Sequence, residues 1–378
     1  MANILHVASG GIFAGAEKQM LEILIGLKKN TNHHISVILF HDSLLADKLR
    51  DSGIKVFIIA MGFANISFSP RRIRQVIRNN NIDIIHGHGY KANIAVYLSM
   101  MFRNRIVCFR TEHGLPEPFR GWKLLKYRLY HAFDMHIARK QCRRTIAVSK
   151  DVYDYLSQSI PQSKLVYIPN CIGIPAPADS TKAGILRSEF SLRPEHKILG
   201  IIGRLFPVKN HRLFIDLIAA MKRKNTGIRG LVVGDGPLEG ELKKYAADKG
   251  VSNEIIFCGF RDDMENIYRV VDIVVFTSLH EGLPMTLLES LAAGVPVIAP
   301  AVGGLTEVLS KCGRECLVEN HDAELLAEKC FDILNNDLLY EDIALKGKRL
   351  IENEYSIDTY IEKLSNLYNE ALASGSLV

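Results

Sequence analysis

The sequence has no long apolar run, few cysteines and a single tryptophan. No uninterrupted apolar stretch approaches the roughly 18–20 residues that a membrane-spanning helix requires. The seven cysteines are scattered, and the one close pair, Cys312 and Cys316, has no second pair or histidine cluster that would complete a zinc site. The chain starts on a strand-like segment rather than on a signal peptide. We therefore expect a cytoplasmic protein with reduced thiols.

Several catalytic signatures are also missing. No Asp-x-Asp occurs, so a carboxylate-held metal bridging a diphosphate is not indicated, and no G-x-S-x-G nucleophile elbow is present. The glycine-rich segment 9–17 is neither G-x-G-x-x-G nor a Walker A loop. Because it lies between a strand-like run and an amphipathic helix, its backbone N–H groups could approach a phosphate. A plain tight turn explains the segment equally well.

The composition is that of a soluble globular protein, with 48% hydrophobic and 23% charged residues. A chain of 378 residues is long enough for two ordinary domains. The net charge of +6 is unevenly distributed, since residues 1–170 hold 24 of the 47 Lys and Arg but only 11 of the 41 Asp and Glu. This basic half favours an anionic partner such as a membrane surface. Nucleic acid is not expected, because no recognition helix or aromatic-basic motif accompanies the charge.

Strand-like runs alternate with helical patterns along the whole chain, which predicts parallel sheets with helices on both faces. The predicted strands are 4–8, 35–40, 55–61, 82–86, 105–111, 145–148, 165–168, 198–203, 230–233, 255–259, 272–277, 295–299 and 316–318. A proline-rich break at 169–194 separates the two series. We therefore predict an α/β fold with domains 1–172 and 173–355, and a last helix at about 356–378 that can return to the first domain.

The most informative motif contains two glutamates, Glu281 and Glu289, eight residues apart. An apolar β-branched run precedes them, Gly282 supplies a turn, and Pro284 suits the first turn of the helix that follows. Such a turn at the carboxyl end of a parallel strand is where open α/β sheets bind ligands. The two carboxylates can hold different parts of one extended, hydroxyl-rich ligand.

Two further segments follow predicted strands of the second half. Arg204 and Lys209 are cations five residues apart that could anchor a diphosphate, although a solvated basic loop is the simpler alternative. Phe260 and the backbone of Arg261 could receive a flat base by stacking and hydrogen bonding. An aspartate at 262–263 suits a helix N-cap, and capping alone explains this segment as well.

Histidines end two predicted strands of the first half. His113 follows the strand 105–111, where it would face a cleft between two domains, although a lone histidine is more often structural. His86 and His88 end the preceding strand. We interpret this pair as lining of the cleft rather than as metal ligands, because no third ligand is evident.

Together these motifs resemble the retaining GT-B-fold glycosyltransferases of the E-x7-E group (group 1, family 4 type). The order and spacing carry the resemblance over most of the chain. The matching segments are Gly-Ala-Glu at 15–17, Val-Ser-Lys at 148–150, Ile-Pro-Asn at 168–170, Gly-Arg-Leu at 203–205 with Lys-Asn at 209–210, Val-Gly-Asp-Gly-Pro at 233–237, Gly-Phe at 259–260, Glu-Gly-Leu-Pro at 281–284 with Glu289, and Gly-Gly at 303–304 with Glu307.

The resemblance implies two doubly wound Rossmann-like domains facing across a cleft. It implies a nucleotide-sugar donor, with a UDP-sugar as the leading candidate, and a glycan or lipid-linked acceptor in surface polysaccharide or glycolipid biosynthesis. It also implies catalytic roles for His113 and Glu281 and no metal or other cofactor. The donor-binding residues that it implies are Gly15, Arg204, Lys209, Phe260, Arg261, Gly282, Leu283 and Glu289.

Alternatives of the same architecture are a nucleotide-sugar epimerase, a phosphorylase and a non-catalytic nucleotide-sugar-binding protein. One helical stripe in the basic half could also hold the protein on the inner face of a membrane. The stripe consists of Trp122, Leu125, Leu129 and Phe133, flanked by Lys123, Lys126 and Arg128. Packing of this stripe into the domain core is the alternative.

Overall fold

The structure, a computed structural model, describes residues 1–11, 15–60, 69–100, 106–115, 122–174, 180–224 and 227–375. The chain forms two compact units. The first comprises Met1–Gly173 together with Ile357–Val378, and the second comprises Ile174–Ser356.

Strands and helices alternate in both units. The strands are β1 Asn3–Ala8, β2 His34–Leu39, β3 Lys55–Ile58, β4 Ile84–His88, β5 Val107–Glu112, β6 Arg144–Ala147, β7 Leu165–Tyr167, β8 Lys197–Ile202, β9 Ile228–Val233, β10 Ile255–Gly259, β11 Ile273–Val275, β12 Val297–Pro300 and β13 Leu317–Val318. The helices are α1 Gly15–Asn30, α2 Leu44–Asp51, α3 Ser69–Asn79, α4 Tyr90–Met100, α5 Trp122–Lys140, α6 Lys150–Ser157, α7 Ser180–Glu189, α8 His211–Lys224, α9 Glu239–Asp248, α10 Met264–Val270, α11 Met285–Ala292, α12 Gly303–Leu309, α13 Ala323–Leu334, α14 Asp337–Glu354 and α15 Ile357–Gly375.

The first sheet has the strand order β3-β2-β1-β4-β5-β6-β7, and its strands pair in parallel. Helices cover both faces, because neighbouring residues of β1 enter different cores. Leu5 and Val7 pack with residues of α3 and α4, whereas Ile4 packs with residues of α1 and α15. Burial on both faces explains why these strands read as continuous apolar runs.

The second sheet has the order β10-β9-β8-β11-β12-β13 and is also parallel. In each sheet the strand order reverses once, between β1 and β4 in the first and between β8 and β11 in the second. Ligands of open α/β sheets bind at such a switch point, beyond the carboxyl ends of the strands.

The predicted fold class is confirmed, since each unit is a doubly wound parallel α/β layer. All the predicted strands overlap observed ones within the described part of the chain. One local prediction is off by a residue: α11 begins at Met285, so Pro284 is its N-cap rather than part of its first turn. Within the described ranges, none of the helices is both long and apolar enough to cross a membrane.

Candidate functional site

The candidate site lies at the carboxyl edge of the second sheet, where the loops after β8 to β12 meet. Backbone hydrogen bonds join neighbouring loops there. The first residue of each pair donates its N–H to the carbonyl oxygen of the second, and the pairs are Leu205 and Asp235 (2.7 Å), Gly234 and Gly259 (2.8 Å), Leu279 and Val208 (2.8 Å), and Gly304 and Glu281 (3.3 Å). The loops after β8 and β11 lie on the two sides of the switch point. Residues that are far apart in the chain are therefore held in one framework.

The centre of this framework is an ion pair between Lys209 and Glu281. Nζ of Lys209 donates to Oε1 of Glu281, and Oγ of Ser278 donates to the same oxygen at 2.6 Å. The glutamate side chain is 10% exposed and the lysine side chain 23%. Lys209 and Glu281, which were predicted to bind different parts of a ligand, are thus directly paired across the switch point.

Glycines allow the loops to approach this closely. A Cβ on Gly304 would lie 2.0 Å from the carbonyl oxygen of Gly282, and a Cβ on Gly234 would lie 2.2 Å from that of Gly203. Gly234 also has a φ of 132°, which side-chain-bearing residues rarely adopt. Gly282 and the buried Leu283 therefore occupy a turn whose path is fixed by backbone contacts.

The second glutamate of the motif, Glu289, lies in α11 and is also buried. Its Oε2 accepts a hydrogen bond of 2.7 Å from the hydroxyl of Tyr268 in α10. Burial and the neighbouring carboxylate raise the pKa of Tyr268 well above its ordinary value, so this hydroxyl keeps its proton and acts as a donor. The two motif glutamates consequently lie in different environments, one paired with a cation and one with a phenol.

Arg261 is clamped between two carboxylates. It donates through Nε and Nη2 to Asp263, at 2.7 and 2.8 Å, and through Nη1 to Glu189 at 2.6 Å. Asp263 does occupy the N-cap position of α10, but its side chain caps no backbone N–H because it is bound to the arginine. The predicted N-cap position is thus confirmed, whereas a capping hydrogen bond from this side chain is absent. Neighbouring Phe260 is 62% exposed, which leaves its ring free for stacking.

The other predicted phosphate-binding cation, Arg204, is exposed and stacks over the ring of Phe206 at 5.0 Å. It forms no salt bridge with any residue that the structure describes. Nearby, His211 begins α8 with both ring nitrogens buried and without hydrogen-bond partners among the described residues. Burial, and to a smaller degree Lys209, lowers the pKa of His211 to about 4, so the ring is neutral.

In the first unit, the predicted His113 belongs to a cluster of four histidines. The rings of His86 and His88 stack at 4.6 Å, and His6 of β1 stacks on both. His113 stacks on His88 at 5.3 Å. His86 and His88 therefore do have a third potential ligand beside them, contrary to the prediction, because β1 lies beside β4 in the sheet and brings His6 to them.

Other predictions for the first unit concern its loops and α5. Gly15 is exposed at the start of α1, and residues 12–14 of the glycine loop lie outside the described residues. The predicted stripe does lie on one helix, α5. The side chains of Trp122, Leu125 and Leu129 are not among those that the structure describes. Phe133 is 38% exposed and contacts Tyr97 of α4 edge to face.

Sequence reasoning missed several partners in these sites. They are Tyr268, Ser278, Glu189 and His6. A weak signal existed for Ser278 alone, since it is three residues from Glu281. The other three lie between 21 and 82 residues from their partners and are brought close only by the strand order.

Comparison with known families matches both halves of the chain. A model described as glycosyl transferases group 1 matches residues 185–350, and one described as glycosyltransferase family 4 matches residues 13–174. The two matched ranges fall in the two different units.

Proteins of similar sequence are also named as glycosyltransferases. The Escherichia coli UDP-Gal:alpha-D-GlcNAc-diphosphoundecaprenol alpha-1,3-galactosyltransferase is 24% identical over 97% of this chain and 96% of its own length. The putative glycosyltransferase EpsF of Bacillus subtilis is 24% identical over 78% of each chain.

Among solved structures, a glycosyltransferase from Rickettsia africae superimposes with a TM-score of 0.83 at 23% identity, covering 98% of both chains. Anabaena HepE in complex with UDP and glucose superimposes with a TM-score of 0.84 at 18% identity, covering 98% of this chain and all of that one. These likenesses confirm the fold. With the two family matches, they lead to one conclusion: the chain belongs to the glycosyltransferases of the group 1, family 4 type, enzymes of the GT-B fold that transfer sugars.

Proposed function

We propose that this glycosyltransferase moves a sugar from a UDP-sugar to a lipid-linked or polymeric glycan acceptor, with retention of the anomeric configuration. The observation that carries the proposal is the Lys209–Glu281 pair at the switch point of the second sheet. A cation and an anion held side by side suit a ligand that carries phosphate at one end and hydroxyl groups at the other.

Arg204 and Lys209 bind the diphosphate in this proposal. Each charge-assisted contact contributes about 1.5–3 kcal/mol. Negative charge builds up on the diphosphate as the sugar leaves, so fixed cations stabilise the transition state more than the ground state. Two such side chains, in a sequence without Asp-x-Asp, support a reaction that needs no metal.

The glutamates hold the hydroxyl groups of the donor. Glu281 accepts hydrogen bonds from the sugar, with Gly282 and Leu283 offering backbone amides nearby, and Glu289 accepts them from the ribose. Phe260 and the backbone of Arg261 contact the base. The clamp on the Arg261 side chain supports a backbone role, because its guanidinium is already bound to Asp263 and Glu189.

The first unit supplies His113, which contacts the transferred sugar, and the glycine loop at Gly15, which approaches the donor phosphates. Both residues lie at the carboxyl edge of a parallel sheet, where ligands of this architecture bind.

The identity of donor and acceptor draws support from the relatives. The name of the Escherichia coli relative specifies a UDP-linked galactose and a diphosphoundecaprenol-linked acceptor, and the Anabaena structure contains UDP and glucose. A lipid-linked acceptor would bring the enzyme to the cytoplasmic face of a membrane. The excess of basic residues in 1–170 supports attraction to anionic lipid there.

The test is a donor panel of UDP-, GDP- and ADP-sugars, with GlcNAc-diphosphoundecaprenol and a membrane extract as acceptors. We expect UDP release that depends on the acceptor and falls at least a hundredfold in Glu281→Gln. Asp342→Asn is the matched control, because it removes an exposed ion pair with Lys346 on α14 and should change the rate little. Chelation of divalent metals should not slow the reaction.

The anomeric configuration of the product, read by proton NMR, tests retention. An inverted product would overturn that part of the proposal. Conversion of the donor sugar without any acceptor would favour an epimerase instead, and tight UDP binding without turnover would favour a binding protein. A rate in Glu281→Gln equal to that of the wild type would remove the basis of the proposed site.

A further inference from the structure

Three of the four clustered histidines form one hydrogen-bonded chain in the first unit. Nδ1 of His6 lies 3.0 Å from Nε2 of His88, and Nδ1 of His88 lies 3.1 Å from Nε2 of His113. The two end nitrogens, Nε2 of His6 and Nδ1 of His113, are buried and have no partner among the described residues. The chain crosses the switch point of the first sheet, from β1 through the end of β4 to the residue after β5.

The rings of this chain are neutral near pH 7. Burial lowers the pKa of His6 to about 3 and that of His113 to about 4. Burial, followed by the neighbouring His86, lowers the pKa of His88 well below its ordinary value. A neutral imidazole has one N–H and one bare nitrogen, so each ring can donate one hydrogen bond and accept one.

Because each ring donates once and accepts once, all hydrogen bonds of the chain must point the same way. In one direction His6 donates to His88, His88 donates to His113, and His113 has its proton on Nδ1. In the other direction every proton moves to the opposite nitrogen, and Nδ1 of His113 is bare. The tautomer of His6 therefore determines whether Nδ1 of His113, two rings away, carries a proton.

We propose that His6 and His88 are positioning residues that hold His113 in the tautomer with its proton on Nδ1, ready to donate to an oxygen of the bound sugar. Each direction leaves one bare nitrogen and one unpaired N–H at the two ends of the hydrogen-bonded chain. This direction places the bare nitrogen at His6, which is fully buried, and the unpaired N–H at Nδ1 of His113. Among backbone groups, buried donors without a partner are the rarer of the two. The unpaired Nδ1 of His113 then gains its partner when the sugar binds. The direction of the chain and its benefit to sugar transfer rest on the role of His113 in the proposed function, whereas the coupling of the three tautomers does not.

A metal ion is the competing explanation, because ligand atoms of His6, His86 and His88 lie within 4.8 Å of one another. Their hydrogen bonds argue against it. His86 uses both nitrogens, with Nδ1 2.5 Å from the hydroxyl of Tyr368 and Nε2 2.8 Å from that of Thr111. The stacked rings are also nearly parallel, at 18–29°, so their lone pairs do not converge on one point.

His86 offers an internal control for the chain. It is as deeply buried as His6 and stacks on His88, but the described hydrogen bonds connect it to Tyr368 and Thr111 and not to His113. Tyr368→Phe removes one of these bonds while keeping the aromatic ring. It should therefore leave the tautomer of His113 unchanged.

The experiment records ring ¹⁵N NMR of ¹⁵N-histidine-labelled full-length protein without ligands, since a protonated and a bare ring nitrogen have well-separated shifts. His113→Gln identifies the signals of His113. The wild type should show protonated Nδ1 at His113, and Tyr368→Phe should show the same. His6→Leu removes the end of the chain and should give a mixture of tautomers. His6→Asp, which only accepts when ionised, should move the proton to Nε2; if it does not fold, His6→Leu decides the matter.

Transfer kinetics on the same proteins connect the chain to activity. His6→Leu should lower kcat by roughly tenfold with a nearly unchanged KM, because a hydrogen bond made in the transition state is weakened. Tyr368→Phe should keep the wild-type kcat.

Three results would overturn the inference: His113 signals that do not respond to His6→Leu, a mixture of tautomers in the wild type, or one equivalent of Zn²⁺ bound through His6, His86 and His88. If the tautomer responds as expected but His113→Gln transfers sugar normally, the coupling of the three histidines is supported and the proposed contact of His113 with the donor is refuted.

Discussion

Neutralising Glu281 and Lys209 separately should shift the affinity for UDP in opposite directions. The two side chains are paired, and little of either is exposed. In the proposed complex the ammonium of Lys209 also binds the diphosphate, so the carboxylate of Glu281 and the phosphate share one cation. UDP lacks the transferred sugar that Glu281 holds in the proposed complex. It therefore experiences the charge of this carboxylate without any compensating contact.

The magnitude follows from the geometry of the pair. With a phosphate oxygen about 3 Å from Nζ on the side away from Glu281, the two anions are about 5–6 Å apart. Their repulsion is then about 1.5–3 kcal/mol at effective dielectric constants of about 40 to 20. Glu281→Gln, which keeps the size of the side chain, should tighten UDP binding by roughly ten- to a hundredfold. Lys209→Met removes a charge-assisted contact of about 1.5–3 kcal/mol and should weaken binding by roughly ten- to a hundredfold.

Isothermal titration calorimetry with UDP at fixed ionic strength measures both effects, with Asp342→Asn as the surface control. Thermal unfolding must accompany it, because removal of one partner leaves the other largely buried without its counter-charge, at a cost of about 3–5 kcal/mol for a fully buried pair and less for this partly exposed one. The reasoning is refuted if Glu281→Gln weakens UDP binding as much as Lys209→Met does. That result would mean that the glutamate supports the nucleotide site instead of competing for its cation.

Three further predictions concern packing, the second glutamate and pH. Gly304→Ala places a Cβ 2.0 Å from a backbone oxygen and should destabilise the protein by roughly 2 kcal/mol or more. Gly240→Ala, in an open position of α9, is the control and should stabilise the protein by about 0.4–1 kcal/mol. Equal urea midpoints for the two variants would contradict the close approach at Gly304. Tyr268→Phe removes a hydrogen bond to Glu289 and should raise the KM for the donor by about tenfold with little change in kcat; an unchanged KM would speak against Glu289 as the ribose contact. Burial lowers the pKa of His6 to about 3, whereas a histidine of the unfolded chain has a pKa near 6.5. As the pH falls below 6.5, the unfolded state therefore binds a proton at His6 that the native state does not. The free energy of unfolding should then drop by about 1.4 kcal/mol per pH unit for each such ring down to the folded pKa, and a flat urea-unfolding profile between pH 7 and 5 would be inconsistent with neutral buried rings.

Local patterns were sufficient to predict the strands and the order of the loops. The run before Glu281 is apolar and β-branched, Gly282 and Pro284 mark the turn, and the following residues repeat with helical spacing. Each of these signals lies within a few residues of the element that it predicts. The structure differs from the prediction only in detail, such as the start of α11 at Met285.

Pairings between distant segments could not be predicted in this way. His6 and His88 are 82 residues apart, and they meet because β1 lies next to β4. Lys209 and Glu281 are 72 residues apart and meet because β8 lies next to β11. Glu189 shows the same limit, since it is 72 residues from Arg261, which it binds. Hydrophobic periodicity predicts that strands form but not which strands are neighbours.

The return of α15 to the first sheet has a consequence for the order of folding during synthesis. Its residues Tyr360, Ile361, Leu364 and Tyr368 are buried in the core that also holds Ile4 of β1. The second unit is continuous in sequence and can close as soon as it has left the ribosome. The first unit, although made earlier, keeps an apolar groove open until residues 357–371 emerge, and Tyr368 reaches His86 only then. A nascent chain stalled near residue 356 should therefore expose a surface that chaperones bind, and the part translated first would be the last to become native.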